Sequence, residues 1–191
     1  NFTDCYFKNN YASSGGVIAT YNTIANIQNC IFYNSSAERF GGVIYSIKSS
    51  FNIKNSNFGL NYAKYAGAIY SNSSEFNLKD SEFNLSQAYS FGGVIASFSS
   101  QFDINHVNFN DYASLSDAGG SIYAIGGTLN VADSSFKNGS SDFGGAICSL
   151  KCDSVISGSQ FINNSATYYG GSVYNMYGSI ELAGNIFENS Y

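Results

Sequence analysis

Few side chains in this sequence could carry chemistry, and their spacing decides what that chemistry would be. The 191 residues include 13 Asp and Glu, eight Lys and Arg, one His and four Cys. Cleaving a polysaccharide takes two carboxylates, or carboxylates with calcium and a basic group, converging on one groove. Arg39 is the only arginine, and the acids are spread along the chain. Zinc would need cysteines or a second histidine near His106, and its stretch "FDINHVNF" (102–109) contains neither. Cys5, Cys30, Cys148 and Cys152 are disulfide candidates, the last two lying close together in "CSLKC". Asn-x-Ser/Thr triplets begin at Asn1, Asn34, Asn72, Asn84, Asn138 and Asn163, and a glycosylating secretory route would read them as glycan acceptors.

Whether distant residues converge depends on the elements that carry them, and those elements repeat. Phe7, Phe32, Phe58, Phe83, Phe109, Phe136, Phe161 and Phe187 recur at intervals of 25 to 27 residues. A glycine-rich marker keeps the same step in "SGGVI" (14–18), "FGGVI" (40–44), "YAGAI" (65–69), "FGGVI" (91–95), "AGGSI" (118–122), "FGGAI" (143–147) and "YGGSV" (169–173). Two markers in one register identify a repeat protein. Before each anchor phenylalanine, apolar and polar residues alternate, as in "FNIKNSNF" (51–58) and "FNLKDSEF" (76–83). That is strand periodicity. Three residues before each anchor stands Asp4, Asn29, Asn55, Asp80, His106, Asp133, Gly158 or Gly184. Apart from the single histidine these are types that tolerate a left-handed bend. His106 is therefore expected to be a turn residue.

Short strands without helices cannot build βαβ crossovers or close a barrel. The expectation is an all-β fold, a right-handed parallel β-helix of about seven coils with three short strands each, spanning 1–191 as a single segment. Stacking at about 4.8 Å makes a column roughly 34 Å tall. Its glycines would avoid a clash in a crowded corner, with the preceding aromatics stacked on one another. Both end coils look uncapped, so the column is expected to continue beyond both ends, either in further repeats or by stacking on copies of itself. Charged residues are only 11% and net charge is −5, without clustered cations. This excludes nucleic acid as a partner, and no apolar run is long enough for a membrane-spanning helix. No cofactor is expected.

In this frame the candidates fall into rows. Cys5 and Cys30 occupy equivalent positions in adjacent coils, in a row of serines, so they could be bridged or remain buried thiols. Cys148 and Cys152 could bridge locally if the chain reverses between them. Asn34, Asn138 and Asn163 share a row with Leu60 and Leu85 and are expected to face inward, whereas Asn84 should face out and be the better glycan acceptor. Asp103 and Glu181 share an outward row with Asn52, Asn77 and Asn130, three coils apart. Tyr45, Tyr70, Tyr123 and Tyr174 form an outward stripe suited to stacking on sugars or packing against another column.

The GG(A/V/S)I marker together with FxxN, as in "FKNN" (7–10), "FGLN" (58–61) and "FINN" (161–164), resembles the polymorphic outer membrane proteins of chlamydiae and adhesin-like surface proteins with similar repeats. The resemblance implies a surface-exposed, adhesive, non-enzymatic β-helix, with host surfaces or glycans as partners. The expected function is a structural or adhesive segment of an extracellular or cell-surface protein or fibre. The alternative is a carbohydrate-active or sugar-binding β-helix.

Overall fold

A computed structural model describes residues 1–191, and its secondary structure is entirely β-strands, of two to five residues except for Ile95–Asn105 and Ile122–Ala132, which run 11 residues through a corner. The strands pair in parallel into sheets of 13, eight and seven strands along one column. One coil runs through Ile44–Ile47 and Ser50–Lys54 in the first sheet, Asn57–Gly59 in the second and Tyr62–Tyr65 in the third. Each strand pairs with its equivalents one repeat before and after it, so the fold is a parallel β-helix.

The anchor phenylalanines set the register. All eight are matched from Phe7 to Phe187. Their rings stack at 4.5–5.2 Å between centroids. A second ladder, Phe51–Phe76–Phe102, stacks with its rings nearly parallel. Ile18, Ile44, Ile69, Ile95, Ile122, Ile147 and Val173 form a third. In-register parallel pairing places like beside like, so one residue type can fill a whole row of the core.

Left-handed residues turn the corners. The eight bend residues from Asp4 to Gly184, His106 included, all have φ between 48° and 64°. The paired glycines serve two different needs. At the first position φ is positive, +66° at Gly92, and Ala66 adopts 60° where its coil lacks that glycine. At the second, the coils approach too closely for a side chain: a Cβ on Gly42 would lie 2.1 Å from the Gly67 carbonyl oxygen.

Buried hydroxyls satisfy the backbone where strands bend. Ser56 Oγ donates to the Lys54 carbonyl at 2.9 Å and accepts the Cys30 N–H at 3.1 Å. Ser81, Ser134 and Ser159 repeat the donation at 2.7–2.9 Å. A second such row holds Ser49, Ser74 and Ser100. Tyr112 is the one aromatic in the inward row after the second bend; its hydroxyl reaches Asn164 Oδ1 at 2.9 Å, passing over Gly139.

Candidate functional site: an aromatic face on the first sheet

The residues after each inward isoleucine alternate outward. Tyr45, Tyr70, Ala96, Tyr123, Cys148 and Tyr174 are paired in one row, as the spacing requires. The tyrosines are half-buried, because two further rows flank them. On one side lie the aromatics that precede the glycines, including Phe40, Tyr65, Phe91 and Phe143. On the other lie Ile47, Phe98, Ile125, Leu150 and Met176, two residues further along each strand. Three columns of apolar side chains thus form one face. Sequence reasoning found the first two separately and missed the third. Its signal was a strand apolar on both sides, as in "IYSI" (44–47).

The rings lie stacked along the column axis. Phe40 and Tyr65 are 5.3 Å apart at 22°, Tyr45 and Tyr70 5.6 Å at 26°, and Phe91 and Tyr123 4.7 Å at 30°. The stacked rings therefore spend their faces on their neighbours, whereas Phe98 stands edge-to-face against Phe91 and Tyr123 at 64° and 63°. A sugar stacks on a ring face, so edges and hydroxyls suit packing against protein better than stacking on glycan. Alanine replaces an aromatic at Ala118. Beside it, where Cys148 interrupts the tyrosine row, a cavity of about 190 Å³ opens between Asp117, Tyr123, Phe143, Cys148 and Tyr174. Burial, with Cys148 and Asp117 nearby, pushes the Tyr123 phenol up to about 12. Burial, then Asp117, pushes the Cys148 thiol up to about 12.

All four cysteines are free thiols. Cys5 and Cys30 sit in the serine row and imitate serine, donating to the Thr3 and Gln28 carbonyls at 3.3 and 3.2 Å. Burial raises the Cys30 thiol, partly opposed by the Cys5 backbone N–H. A local Cys148–Cys152 bridge does not form. The left-handed Lys151 (φ 49°) turns the chain between them without reversing it. Cys148 then faces out in the tyrosine row, while Cys152 faces in, its Sγ taking the Ser154 hydroxyl at 3.9 Å.

The expected inward asparagines also face the other way. Asn34, Asn138 and Asn163 are exposed and left-handed, at φ 51°, 59° and 56°. This second bend shifts the alternation by one residue, so Ser35, Asn61, Ser86 and Asn164 fill the inner row instead. The expected preference for Asn84 over Asn34 and Asn163 on grounds of facing is thereby overturned, since Asn84 also points out. Asn34 Nδ2 donates to Asn9 Oδ1 at 2.8 Å, and Asn163 Nδ2 donates to Asn138 Oδ1 at 3.3 Å. Asn1 is exposed at the column's first coil, and Asn72 stands in the third column of the apolar face.

Asp103 and Glu181 occupy the outward asparagine row, separated by Asn130 and Val155. His106 lies at a bend beside Asn105. An open, polar groove of about 640 Å³ follows the corner within the first sheet, lined by Thr23, Lys48, Glu75, Gln101, Thr128 and neighbouring serines.

A family model described as the Chlamydia polymorphic membrane protein (Chlamydia_PMP) repeat matches residues 4–21. That stretch holds the Asp4 bend, the Phe7 anchor, the Asn9 bend, the glycine pair and the inward Ile18. No curated protein and no solved structure gives a significant match. The similarity is thus to one repeat unit of this family, and the same devices recur in the structure through Phe187.

Proposed function

We propose that this chain is a non-catalytic structural or adhesive segment of a cell-surface protein, with the three-column aromatic face as its contact surface. The observation that carries the reading is that face: three adjoining columns of aromatic and aliphatic side chains on neighbouring strands, whereas the other exposed tyrosines, leucines and isoleucines sit among asparagine, serine and charged residues. Large exposed apolar patches mark interaction sites, and aromatic residues are enriched at protein interfaces. The repeat match supports a surface location, since that repeat is named for membrane proteins. Outward sequons would add glycans without disturbing the core. The partners are further coils, other copies of the column, or a host or cell surface.

The test is adhesion of beads coated with the segment to cultured cells. Replacing Tyr45, Tyr70 and Tyr123 together by serine should abolish binding, with the circular dichroism spectrum unchanged. Binding that survives the triple substitution overturns the assignment of this face. A second reading, sugar binding, is favoured by the polar groove at the corner of the first sheet and no longer by the tyrosine stripe. Incubation with acidic polysaccharides separates it from the enzymatic alternative: retention without new chain ends means binding, whereas new ends mean cleavage.

A further inference from the structure

One row bordering the aromatic face carries a charge pattern the fold does not require. The residues immediately before Phe40, Tyr65, Phe91, Ala118 and Phe143 are, in order, Arg39, Lys64, Ser90, Asp117 and Asp142. Two cations are followed by a neutral residue and then two anions. Like charges in adjacent strands are unfavourable, so this arrangement costs the isolated column stability. All four charges border the face. The Arg39 guanidinium lies 5.0 Å from the Phe40 ring centroid, and Lys64 Nζ lies 5.3 Å from that of Tyr65. Asp117 lines the cavity at Ala118, and its backbone carbonyl accepts the Asp142 N–H at 2.8 Å. Glu38, the extra residue of a bulge, takes the Tyr11 hydroxyl at 2.7 Å instead.

We infer that the aromatic face binds a second copy of this chain, antiparallel, about a two-fold axis through the coil of Ser90. Such an axis lies in the interface and perpendicular to the column, so each row meets itself reversed. Arg39 then meets Asp142 of the other copy, and Lys64 meets Asp117, each pair formed twice. The shapes agree with the charges. Tyr45 of one copy comes opposite Cys148 of the other, whose small side chain leaves the cavity of about 190 Å³ between Tyr123 and Tyr174. A parallel two-fold would instead set Arg39 against Lys48 and Asp142 against Lys151, so that one like pair offsets one opposite pair and Lys64 and Asp117 meet no charge. One antiparallel meeting is unfavourable: Lys48 faces Lys151 at the far corner, one like-charge pair against two opposite-charge pairs.

From strand spacing and rise the face measures about 30 by 20 Å, or roughly 600 Å² per copy. A standard stable complex buries about 800 Å² per partner. The dimer is therefore concentration-dependent and sensitive to salt. The inference rests on the face being a contact surface, the reading proposed above.

Sedimentation velocity on the 191-residue chain, over a concentration series at low and high salt, tests it. The wild type should dimerise, and more weakly at high salt. R39E/K64E and D117K/D142K should each dissociate at least about tenfold more readily, and the quadruple exchange should regain the wild-type affinity. K151E should tighten the dimer. D142K alone serves if the change at half-buried Asp117 unfolds the chain. A chain that stays monomeric throughout, a dimer indifferent to the double exchanges, or a quadruple variant that does not recover would each overturn the inference. If the chain stays monomeric while the tyrosine variant still loses cell binding, only the self-association fails and the contact-face reading stands.

Discussion

Val107 interrupts the buried hydroxyl row, and replacing it by threonine tests the account of what holds the corners. In the intact row each oxygen accepts an N–H from the coil before it and donates to a carbonyl two residues back. Ser56 N–H reaches Ser81 Oγ at 3.1 Å, and Val107 N–H reaches Ser134 Oγ at 3.1 Å. At Val107 itself, fully buried, no oxygen stands ready for the Ser81 N–H. Threonine has the shape of valine and would place a hydroxyl between that N–H and the Asn105 carbonyl. Losing a buried methyl costs about 0.8 kcal/mol. Two new neutral hydrogen bonds return about 0.5–1.5 kcal/mol each, and an unsatisfied buried group costs about 1–3 kcal/mol. Val107→Thr should therefore stabilise the fold by about 1 kcal/mol, or about 2–4 °C in Tm at this size. Val94→Thr is the control. Val94 is equally buried, and Ser121 in its row has a buried hydroxyl without a partner. There the hydroxyl should cost about 1–3 kcal/mol. Urea unfolding of both variants decides the matter. If Val107→Thr destabilises as much as Val94→Thr, the hydroxyl row does not do what is claimed for it.

Ser121→Ala should raise the urea midpoint by removing that unpartnered hydroxyl, a gain of about 1 kcal/mol; Ala68 and Ala146 already hold equivalent positions. Ala66→Gly should stabilise by about 0.5–1 kcal/mol, because a left-handed alanine costs about 1–2 kcal/mol, partly offset by the entropy glycine loses on folding; an unchanged thermal midpoint counts against the assigned corner geometry. Phe83→Ala, which opens the buried phenylalanine stack, should cost about 3–5 kcal/mol in the same urea titration. Burial raises both Tyr123 and Cys148 to about 12, from 10.0 and 9.0, so their neutral forms favour the fold. That contribution is complete below about pH 9 and is lost as pH rises through 12; Cys148→Ala should remove the lower part of the alkaline loss in thermal melts.

The core was legible because in-register stacking converts sequence period directly into spatial contact. Phe58 and Phe83 are 25 residues apart in the chain and 4.5 Å apart in the structure. The first set of bends was legible because Asn, Asp and Gly announce left-handed backbone. The corner within the first sheet was not, since Lys48, Ser73, Ser99 and Lys151 take φ of 47–51° without being types that favour it. Geometry imposed by neighbouring coils overrides local preference there. Leu60 and Leu85 misled the assignment of faces. They look like core residues in the row of Asn34, yet both are left-handed and substantially exposed. The apolar face became visible only once the strands were side by side, because its three columns come from two different strands of each coil.

The same stacking rule accounts for the composition. In a parallel in-register column, each outward side chain has its own equivalents about 4.8 Å above and below. A charged residue repeated there meets like charge, whereas asparagine can donate to one neighbour and accept from the other. Asn52 Nδ2 donates to Asn26 Oδ1 at 3.1 Å, and Asn26 Nδ2 donates to Asn1 Oδ1 at 2.9 Å. Asn110 donates to Asn84 at 3.0 Å, and Asn189 to Asn163 at 3.3 Å. A fold of this kind selects for asparagine and against charge on its outer rows, which explains why only 11% of residues are charged. Where a row nonetheless runs Arg39, Lys64, Ser90, Asp117, Asp142, the column offers Asp117 only the Ser90 hydroxyl at 3.3 Å, and a reversed second copy would offer all four charges an opposite one.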